Sequence, residues 1–142
     1  MDKKSVLFLC THNSARSQMA EGIMNHLYGD RYQASSAGTE PGTVNPLAVK
    51  ALAEIGIDIS AHHSKHVREF VGREMDLVVT VCDNAREACP VWFGEVKKLH
   101  KSFEDPPFLA KEANSEEEAL APYRRVRDEI RDFVADLFKG DK

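Results

Sequence analysis

Residues 6–17 read VLFLCTHNSARS, and the organisation of the whole chain follows from this stretch. Its first four residues are apolar, which is typical of a buried β-strand, and they lead directly into Cys10. Five small or polar residues separate Cys10 from Arg16, where a helical pattern of apolar residues begins. The stretch therefore predicts a Cys-x5-Arg loop between a strand and a helix.

This loop has the properties of an anion-binding site with a nucleophile at its base. Backbone N–H groups of a short loop before a helix point into one concavity, and the helix dipole adds positive potential. The planar guanidinium of Arg16 is suited to bidentate hydrogen bonding with a tetrahedral oxyanion. These surroundings are expected to lower the pKa of Cys10, and Ser17 is expected to donate its hydroxyl to that sulfur. Taken singly, a buried thiol and a surface arginine are the simpler interpretation, but the combined pattern favours the anion site.

Length and composition indicate one globular domain, residues 1–142, with a hydrophobic core. The chain has 19 basic and 23 acidic residues, a net charge of −4, and the two kinds are interspersed. Neither nucleic acid nor an anionic membrane is therefore expected as a partner. No secretory signal or membrane span is recognisable, so we expect a cytoplasmic protein, and we expect a monomer. Cysteines in that compartment are more often reduced, catalytic or metal-bound than structurally bridged.

Strands and helices alternate along the chain, which predicts an α/β fold, a three-layer sandwich with a parallel sheet of about four strands between helices. Ligands of such sheets bind beyond the carboxyl ends of the strands, where Cys10 and Cys82 are both expected. The predicted strands cover residues 6–9, 32–37, 75–81 and 96–99, and the predicted helices cover residues 14–28, 45–55, 84–89 and 123–138.

Finer expectations concern the ends and faces of the helices. The apolar stripe of the first helix includes Leu27 at helical spacing. Asn45 is expected to cap the second helix, with Pro46 at its first position. Ser64 is expected to cap a further short helix, and Pro122 either begins the last helix or kinks it.

Cys82 and Cys89 are seven positions apart in a segment with a helical pattern. In a helix their Cα atoms would be about 10.5 Å apart, whereas a disulfide needs roughly 7 Å or less. A helix this short is marginally stable, and if it unwinds the two thiols can bridge, which would make the segment a redox switch. The alternatives are two buried small side chains or a zinc pair, and the spacing disfavours zinc, so no metal is expected.

A third chemical feature is Asp105, which Pro106 and Pro107 follow in the loop after the fourth predicted strand. At that edge of the sheet its carboxyl group is expected to reach the Cys10 loop as a general acid for a departing oxygen. The simpler interpretation is an ordinary turn.

Together these motifs resemble the low-molecular-weight protein tyrosine phosphatases, and more closely the thioredoxin-coupled, three-cysteine arsenate reductases of that superfamily. The resemblance covers nearly the whole chain, because Cys10-x5-Arg16-Ser17, Cys82, Cys89 and Asp105-Pro106 occur in the family's order and spacing. It implies the sheet order 2-1-3-4. It also implies an oxyanion site formed by Thr11, His12, Asn13, Ser14, Ala15 and Arg16.

The resemblance implies a relay of three displacements. Cys10 attacks arsenate while Asp105 protonates the leaving oxygen. Cys82 then attacks Cys10 and releases arsenite, and Cys89 attacks Cys82 to give a disulfide that thioredoxin reduces. No cofactor is implied, and phosphate or sulfate would mimic arsenate.

Two departures from the family pattern carry expectations of their own. His12 stands where relatives often have glycine, which a histidine tolerates if the position needs a positive φ, and Ala15 stands where several relatives have cysteine. Some relatives bind potassium through residues that match Asn13, Glu21, Ser36 and an aspartate at position 65, which is Lys65 here. We predict that the Lys65 ammonium occupies or repels the ion's place, so that activity is insensitive to potassium. The alternative is that Lys65 points to solvent.

Two other functions remain open from the sequence. A low-molecular-weight protein tyrosine phosphatase would use Cys10, Arg16 and Asp105 without the other thiols. An oxyanion-responsive redox sensor would bind the anion and switch once, without turnover.

Overall fold

The computed structural model of this chain describes residues 3–82 and 96–140. The predicted helix over residues 84–89, and Cys89 with it, lies outside the described residues. The sheet has four strands in the order β2-β1-β3-β4, and all neighbouring strands are parallel, which confirms the predicted order. The elements are β1 (Lys4–Cys10), α1 (Arg16–Tyr28), β2 (Tyr32–Gly38), α2 (Pro46–Ala53), a 3-10 turn (Val67–Glu69), β3 (Leu77–Thr80), β4 (Lys97–His100), α3 (Pro106–Leu109) and α4 (Glu116–Gly140).

The central strand β1 ends in the predicted anion loop. Its residues 6–10 are all buried, because strands pack on both of its edges and the core covers both of its faces. Cys10 pairs with Gly38 at the end of β2, and Leu9 pairs with Thr80 at the end of β3. Because the strands are parallel, the residues that follow all three strands meet at one edge of the sheet.

Helix α1 follows the loop and packs closely against α2. A Cβ atom on Gly22 would lie 2.6 Å from the side chain of Ile59, in the segment after α2, and 3.0 Å from that of Leu52 in α2, so glycine lets α1 approach both. The predicted apolar stripe is buried at Met19 but not at Leu27, which is 43% exposed. The inclusion of Leu27 in the buried face was therefore wrong, because the last turn of α1 extends past the core.

Asn45 caps α2 as predicted. Its Oδ1 accepts a hydrogen bond of 2.8 Å from the N–H of Leu47, and Pro46 is the first helical residue. The predicted cap at Ser64 is wrong, because His66 caps the 3-10 turn through a 2.9 Å bond from the N–H of Arg68.

The last helix begins earlier than the apolar stripe predicted. Its start is Glu116, and Pro122 lies inside the helix rather than at its beginning. Ser115 Oγ accepts from the N–H of Glu118 at 3.1 Å, and the Glu118 carboxylate accepts from the N–H of Asn114 at 2.9 Å. This Ser-x-x-Glu arrangement is a start signal for a helix, which the sequence interpretation overlooked. None of the helices in the described part of the chain is long and apolar enough to cross a membrane.

Candidate active site

The loop after β1 is held from outside by hydrogen bonds to its carbonyl oxygens. Four of them accept from backbone N–H groups of the segment that follows β2. The donors are Thr39, Glu40, Gly42 and Asn45, which bind the carbonyls of Cys10, Thr11, His12 and Ser14 at 3.3, 2.8, 2.9 and 2.9 Å, respectively. The N–H and carbonyl of a trans peptide point in opposite directions, so outward carbonyls turn the N–H groups towards the inside of the loop. This is the arrangement of an anion cradle.

Asn13 reverses the direction of the loop. Its φ of +52° lies in the left-handed region, where asparagine is more tolerated than most residues. The sequence raised the question whether His12 needs a positive φ, and it does not have one. The His12 ring instead lies at the surface, with Nδ1 2.9 Å from the carbonyl oxygen of Glu40.

The buried Asn13 is held by four residues. Its carbonyl accepts from Ser64 Oγ at 2.7 Å and from Gln18 Nε2 at 3.2 Å. Its side-chain oxygen accepts from Gln18 Nε2 at 3.0 Å and from the N–H of Lys65 at 2.9 Å. Its amide nitrogen donates to Ser17 Oγ at 2.8 Å. A buried asparagine with this many hydrogen bonds fixes the conformation of the loop.

Gly38 allows the loop to approach β2. A Cβ atom at this position would lie 2.5 Å from the carbonyl oxygen of Thr11 and 2.9 Å from the backbone nitrogen of Asn13. These are backbone atoms, which have nowhere to move without displacing the loop. Only glycine therefore fits at this position.

Cys10 and Cys82 lie side by side, both as buried thiols outside any disulfide. The hydrogen bond with Cys82 and then burial raise the pKa of Cys10, although Arg16 and the N–H of Thr11 act to lower it. The expectation of a lowered pKa was therefore wrong, because it rested on the anion loop and Arg16 and did not include the hydrogen bond with the neighbouring Cys82 thiol or the burial. The hydroxyl of Thr11 lies 3.3 Å from Cys82 Sγ. No hydrogen bond joins Ser17 to Cys10 among the described residues, so the expected donation to the sulfur is not seen.

Arg16 lies between the loop and the segment that follows β4. Its Nη1 donates to the carbonyl oxygen of Phe103 at 2.9 Å, and its Nη2 is 3.6 Å from Asp105 Oδ1. Asp105 holds the N-cap position of α3 but makes no capping hydrogen bond with its side chain. Its carboxylate is thus directed to the arginine and remains 45% exposed.

A cavity of about 300 Å³ opens over the loop. Its size suits a small oxyanion with its first waters. Among the described lining residues the only aromatic ring is the imidazole of His12. The lining residues are Cys10, His12, Ser14, Ala15, Arg16, Gly42, Thr43, Asn45, Asp105 and Pro107.

Behind the loop lies a charged cluster formed by residues expected at the ion site. Ser36 Oγ donates to Glu21 Oε1 at 2.7 Å, and the Lys65 ammonium is 3.8 Å from the same carboxylate oxygen. Lys65 also donates to the carbonyl of His63 at 3.1 Å, and its side chain is only 15% exposed. The alternative that Lys65 points into solvent is therefore wrong.

Cys10, Arg16 and Asp105 are thus brought together around one cavity, with Cys82 next to Cys10. Sequence reasoning missed Phe103 and Gln18. Phe103 acts through its backbone carbonyl, which no residue type reveals, although an isolated apolar residue in a polar loop is a weak signal for an anchor. Gln18 on α1 had no partner that the sequence could name.

A parallel sheet with a buried thiol in an anion cradle, flanked by an arginine and a carboxylate, defines a cysteine-dependent enzyme that acts on oxyanions. The chain belongs to the low molecular weight phosphotyrosine protein phosphatase family, which it matches over residues 5–140.

Its relatives within the family include proteins named arsenate reductase. That of Halalkalibacterium halodurans is 48% identical over 130 residues, which cover 92% of this chain and 91% of the relative. A solved arsenate reductase in the phosphate binding state has a TM-score of 0.76 at 30% identity, over 96% of this chain and 98% of that one. The thioredoxin-dependent arsenate reductase of Corynebacterium glutamicum has a TM-score of 0.73 at 27% identity, over 99% of this chain and 62% of that one.

Proposed function

We propose that this chain reduces arsenate to arsenite, with Cys10 as the nucleophile and with Cys82 and Cys89 as the thiols that complete the reduction. The observation that carries the proposal is the hydrogen bond between Cys10 and Cys82 beside the oxyanion cavity. A phosphatase needs one thiol, whereas a reductase of this kind needs a second sulfur within bonding reach of the first. The relatives named arsenate reductase support the same function.

The first step is the attack of the Cys10 thiolate on the arsenic(V) atom. An S–As bond forms, an As–O bond breaks, and protonated Asp105 gives its proton to the departing oxygen, which leaves as water. Arg16 and the N–H groups of the loop stabilise the negative charge on the remaining oxygens. The 3.6 Å distance between Arg16 and Asp105 supports these roles, because an oxyanion bound to the arginine is also within reach of the carboxyl group.

The second step is the attack of Cys82 on the sulfur of Cys10. The S–S bond forms as the S–As bond breaks, and the electron pair remains on arsenic, which leaves as arsenite. The 3.3 Å contact between Thr11 Oγ1 and Cys82 Sγ supports this step, because a hydroxyl that donates to a sulfur stabilises its thiolate.

The third step transfers the disulfide to Cys89, whose thiolate attacks Cys82 and releases the Cys10 thiolate. Thioredoxin then supplies two electrons and reduces the Cys82–Cys89 bond. Thiolate exchange of this kind requires neither a metal nor an organic cofactor. It requires a reducing compartment, so we assign the protein to the cytoplasm. The thioredoxin-dependent relative supports the choice of reductant.

The lining of the cavity favours an inorganic oxyanion over a phosphotyrosine side chain. Beyond the His12 imidazole, the described lining residues offer no ring on which an aryl group would stack. Small phosphate esters still fit, because phosphate and arsenate have nearly the same shape and charge. We therefore expect a slow residual phosphatase activity from the same Cys10, Arg16 and Asp105.

We further propose that Lys65 replaces a dissociable cation behind the loop. Its ammonium neutralises Glu21 at 3.8 Å, and its backbone N–H binds Asn13 at 2.9 Å, so one residue supports both the charge and the conformation of the loop. An ammonium at this place would exclude a second cation by repulsion.

The test is arsenate-dependent oxidation of NADPH in the presence of thioredoxin and thioredoxin reductase. We expect Cys82→Ser and Cys89→Ser to abolish multiple turnover while each retains slow hydrolysis of p-nitrophenyl phosphate. Cys10→Ser is expected to lose both activities, because both begin with the same nucleophile.

Two outcomes would contradict the proposal. Reduction that survives Cys82→Ser or Cys89→Ser would show that these thiols form no relay. A wild-type protein that oxidises once with arsenate but never turns over would favour a redox sensor.

A further inference from the structure

Phe103 belongs to none of the sequence motifs, yet its backbone carbonyl binds the guanidinium of Arg16, the residue assigned to oxyanion binding. Arg16 Nη1 donates to the Phe103 carbonyl at 2.9 Å, and a charged donor makes this bond stronger than a neutral one. The guanidinium is a rigid fork with five donors. When Nη1 is bound to the carbonyl, the edge formed by Nε and Nη2 remains for two oxygens of an anion.

Within the described part of the chain, the Nη2 group of Arg16 is only loosely paired. It lies 3.6 Å from Asp105 Oδ1, beyond the usual range of a hydrogen bond. An incoming oxyanion therefore displaces only this loose ion pair, while the bond from Nη1 to Phe103 is retained. The orientation of the fork towards the cavity is thus set before the anion arrives.

Two anchors fix the Phe103 carbonyl. The N–H of Phe103 donates to Val81 at 3.2 Å, and the N–H of Lys101 donates to Thr80 at 2.9 Å, so the pairing with the strand that leads to Cys82 continues beyond β4. The Phe103 ring is 4% exposed and packs edge-to-face on Phe133 with centroids 5.8 Å apart. The carbonyl is therefore attached both to the sheet and to α4.

We propose that Phe103 is a positioning residue for oxyanion binding, which acts by holding Arg16 in the orientation that receives two oxygens of arsenate or phosphate. The inference deepens the proposed function, on which it rests for the identity of the substrate. Its direct consequence is a preformed arginine fork, so loss of the aromatic anchor should weaken anion binding even where the fold survives.

The experiment measures the Kd of inorganic phosphate by calorimetry for the reduced, full-length chain. We expect Phe103→Ala to raise the Kd by about tenfold, as for the loss of one charge-assisted hydrogen bond, and Phe103→Leu to restore most of the affinity. The matched control is Phe70→Ala, since Phe70 is also 4% exposed but its carbonyl accepts from the N–H of Arg73 at 3.0 Å rather than from Arg16. This control should lose stability and keep the wild-type Kd. Phosphate binding needs neither thioredoxin nor turnover, so it is tested independently of arsenate reduction.

A second variant keeps the inference testable if Phe103→Ala does not fold. Phe133→Ala removes the half-buried partner ring and is expected to raise the Kd in the same direction but by a smaller factor. In turnover, the KM for arsenate should rise in parallel with the Kd, whereas a purely structural role would leave both unchanged. An unchanged Kd in folded Phe103→Ala, or in Phe133→Ala if the former does not fold, would overturn the proposal.

Discussion

The loop that forms the anion cradle and the segment that faces it across the cavity are held in different ways. In the loop, every carbonyl from Cys10 to Ser14 accepts a hydrogen bond from a neighbouring element, and Asn13 is fully buried. In the facing segment, Phe103 is anchored, but two residues later Asp105 is nearly half exposed and only loosely paired with Arg16.

The difference follows from what each region does chemically. Groups that stabilise charge in a transition state are most effective when they are already in place, because no reorganisation is then needed. A general acid must instead exchange its proton with water between turnovers, so an accessible and weakly held carboxyl group is suitable. The rigid side of the site, the loop from Cys10 to Ser14, is therefore suited to binding the oxyanion. The loose side, the segment with Asp105, is suited to transferring protons.

The largest loss of activity is expected from a substitution that distorts the anion loop. Gly38→Ala places a methyl group 2.5 Å from the carbonyl of Thr11 and must displace the cradle. We expect kcat/KM for arsenate to fall by on the order of 1,000-fold, since even one misplaced oxyanion donor costs 100- to 1,000-fold. The control is Gly140→Ala at the end of α4, far from the loop, where a Cβ would meet no atom within 4 Å and should be tolerated. Equal activities of the two variants would contradict this account of the loop.

A smaller effect is expected on the loose side. Asp105→Asn removes the acid, so kcat should fall by about 100-fold, while phosphate should bind at least as tightly because a carboxylate no longer competes for Arg16. Steady-state kinetics and phosphate titration separate these two parameters. The neighbouring Glu104→Gln is the control, because Glu104 pairs with Arg125 at 3.1 Å rather than with the site. Weaker phosphate binding in Asp105→Asn would show that Asp105 binds rather than protonates.

The next prediction concerns the cluster of Glu21, Ser36 and Lys65 behind the loop, where the Lys65 ammonium is proposed to take the place of a bound cation. We expect wild-type turnover to be the same when potassium replaces sodium at constant ionic strength, because the Lys65 ammonium already faces Glu21. Lys65→Asp should make turnover rise with added potassium, since a second carboxylate creates a site for a cation. Lys50→Asp, at an exposed lysine on α2, should not. A steep potassium dependence of the wild-type enzyme would refute the role given to Lys65.

The smallest effect concerns the proton between the two thiols. The hydrogen bond with Cys82 is the main cause that raises the pKa of Cys10, so Cys82→Ala should lower that pKa. Alkylation requires the thiolate, and the pH at which Cys10 reacts at half its maximal rate should therefore move down in Cys82→Ala. A midpoint that stays in place or moves up would mean that Cys82 does not hold the proton.

What the sequence could predict depends on how local the physical cause is. The strand before Cys10, the Asn45 cap and the place of the Cys10–Arg16 loop between a strand and a helix involve neighbours in the chain, and each was predicted correctly. The Phe103 carbonyl on Arg16 joins residues 87 positions apart, and no residue type encodes such a contact. The raised pKa of Cys10 was missed for another reason: Cys82 was expected at the same sheet edge, but the sequence does not show that the two thiols are hydrogen-bonded and buried. The early start of α4 was missed although its Ser115 signal is local.

The most decisive measurement is the mass of the disulfide-linked peptides after one equivalent of arsenate reacts with Cys89→Ser in the absence of thioredoxin. Without the third thiol the relay stops after its second step, so we expect one equivalent of arsenite and a Cys10–Cys82 disulfide. Arsenite released without that disulfide, or arsenate left unreduced, would contradict the proposal that adjacent Cys10 and Cys82 carry the reduction.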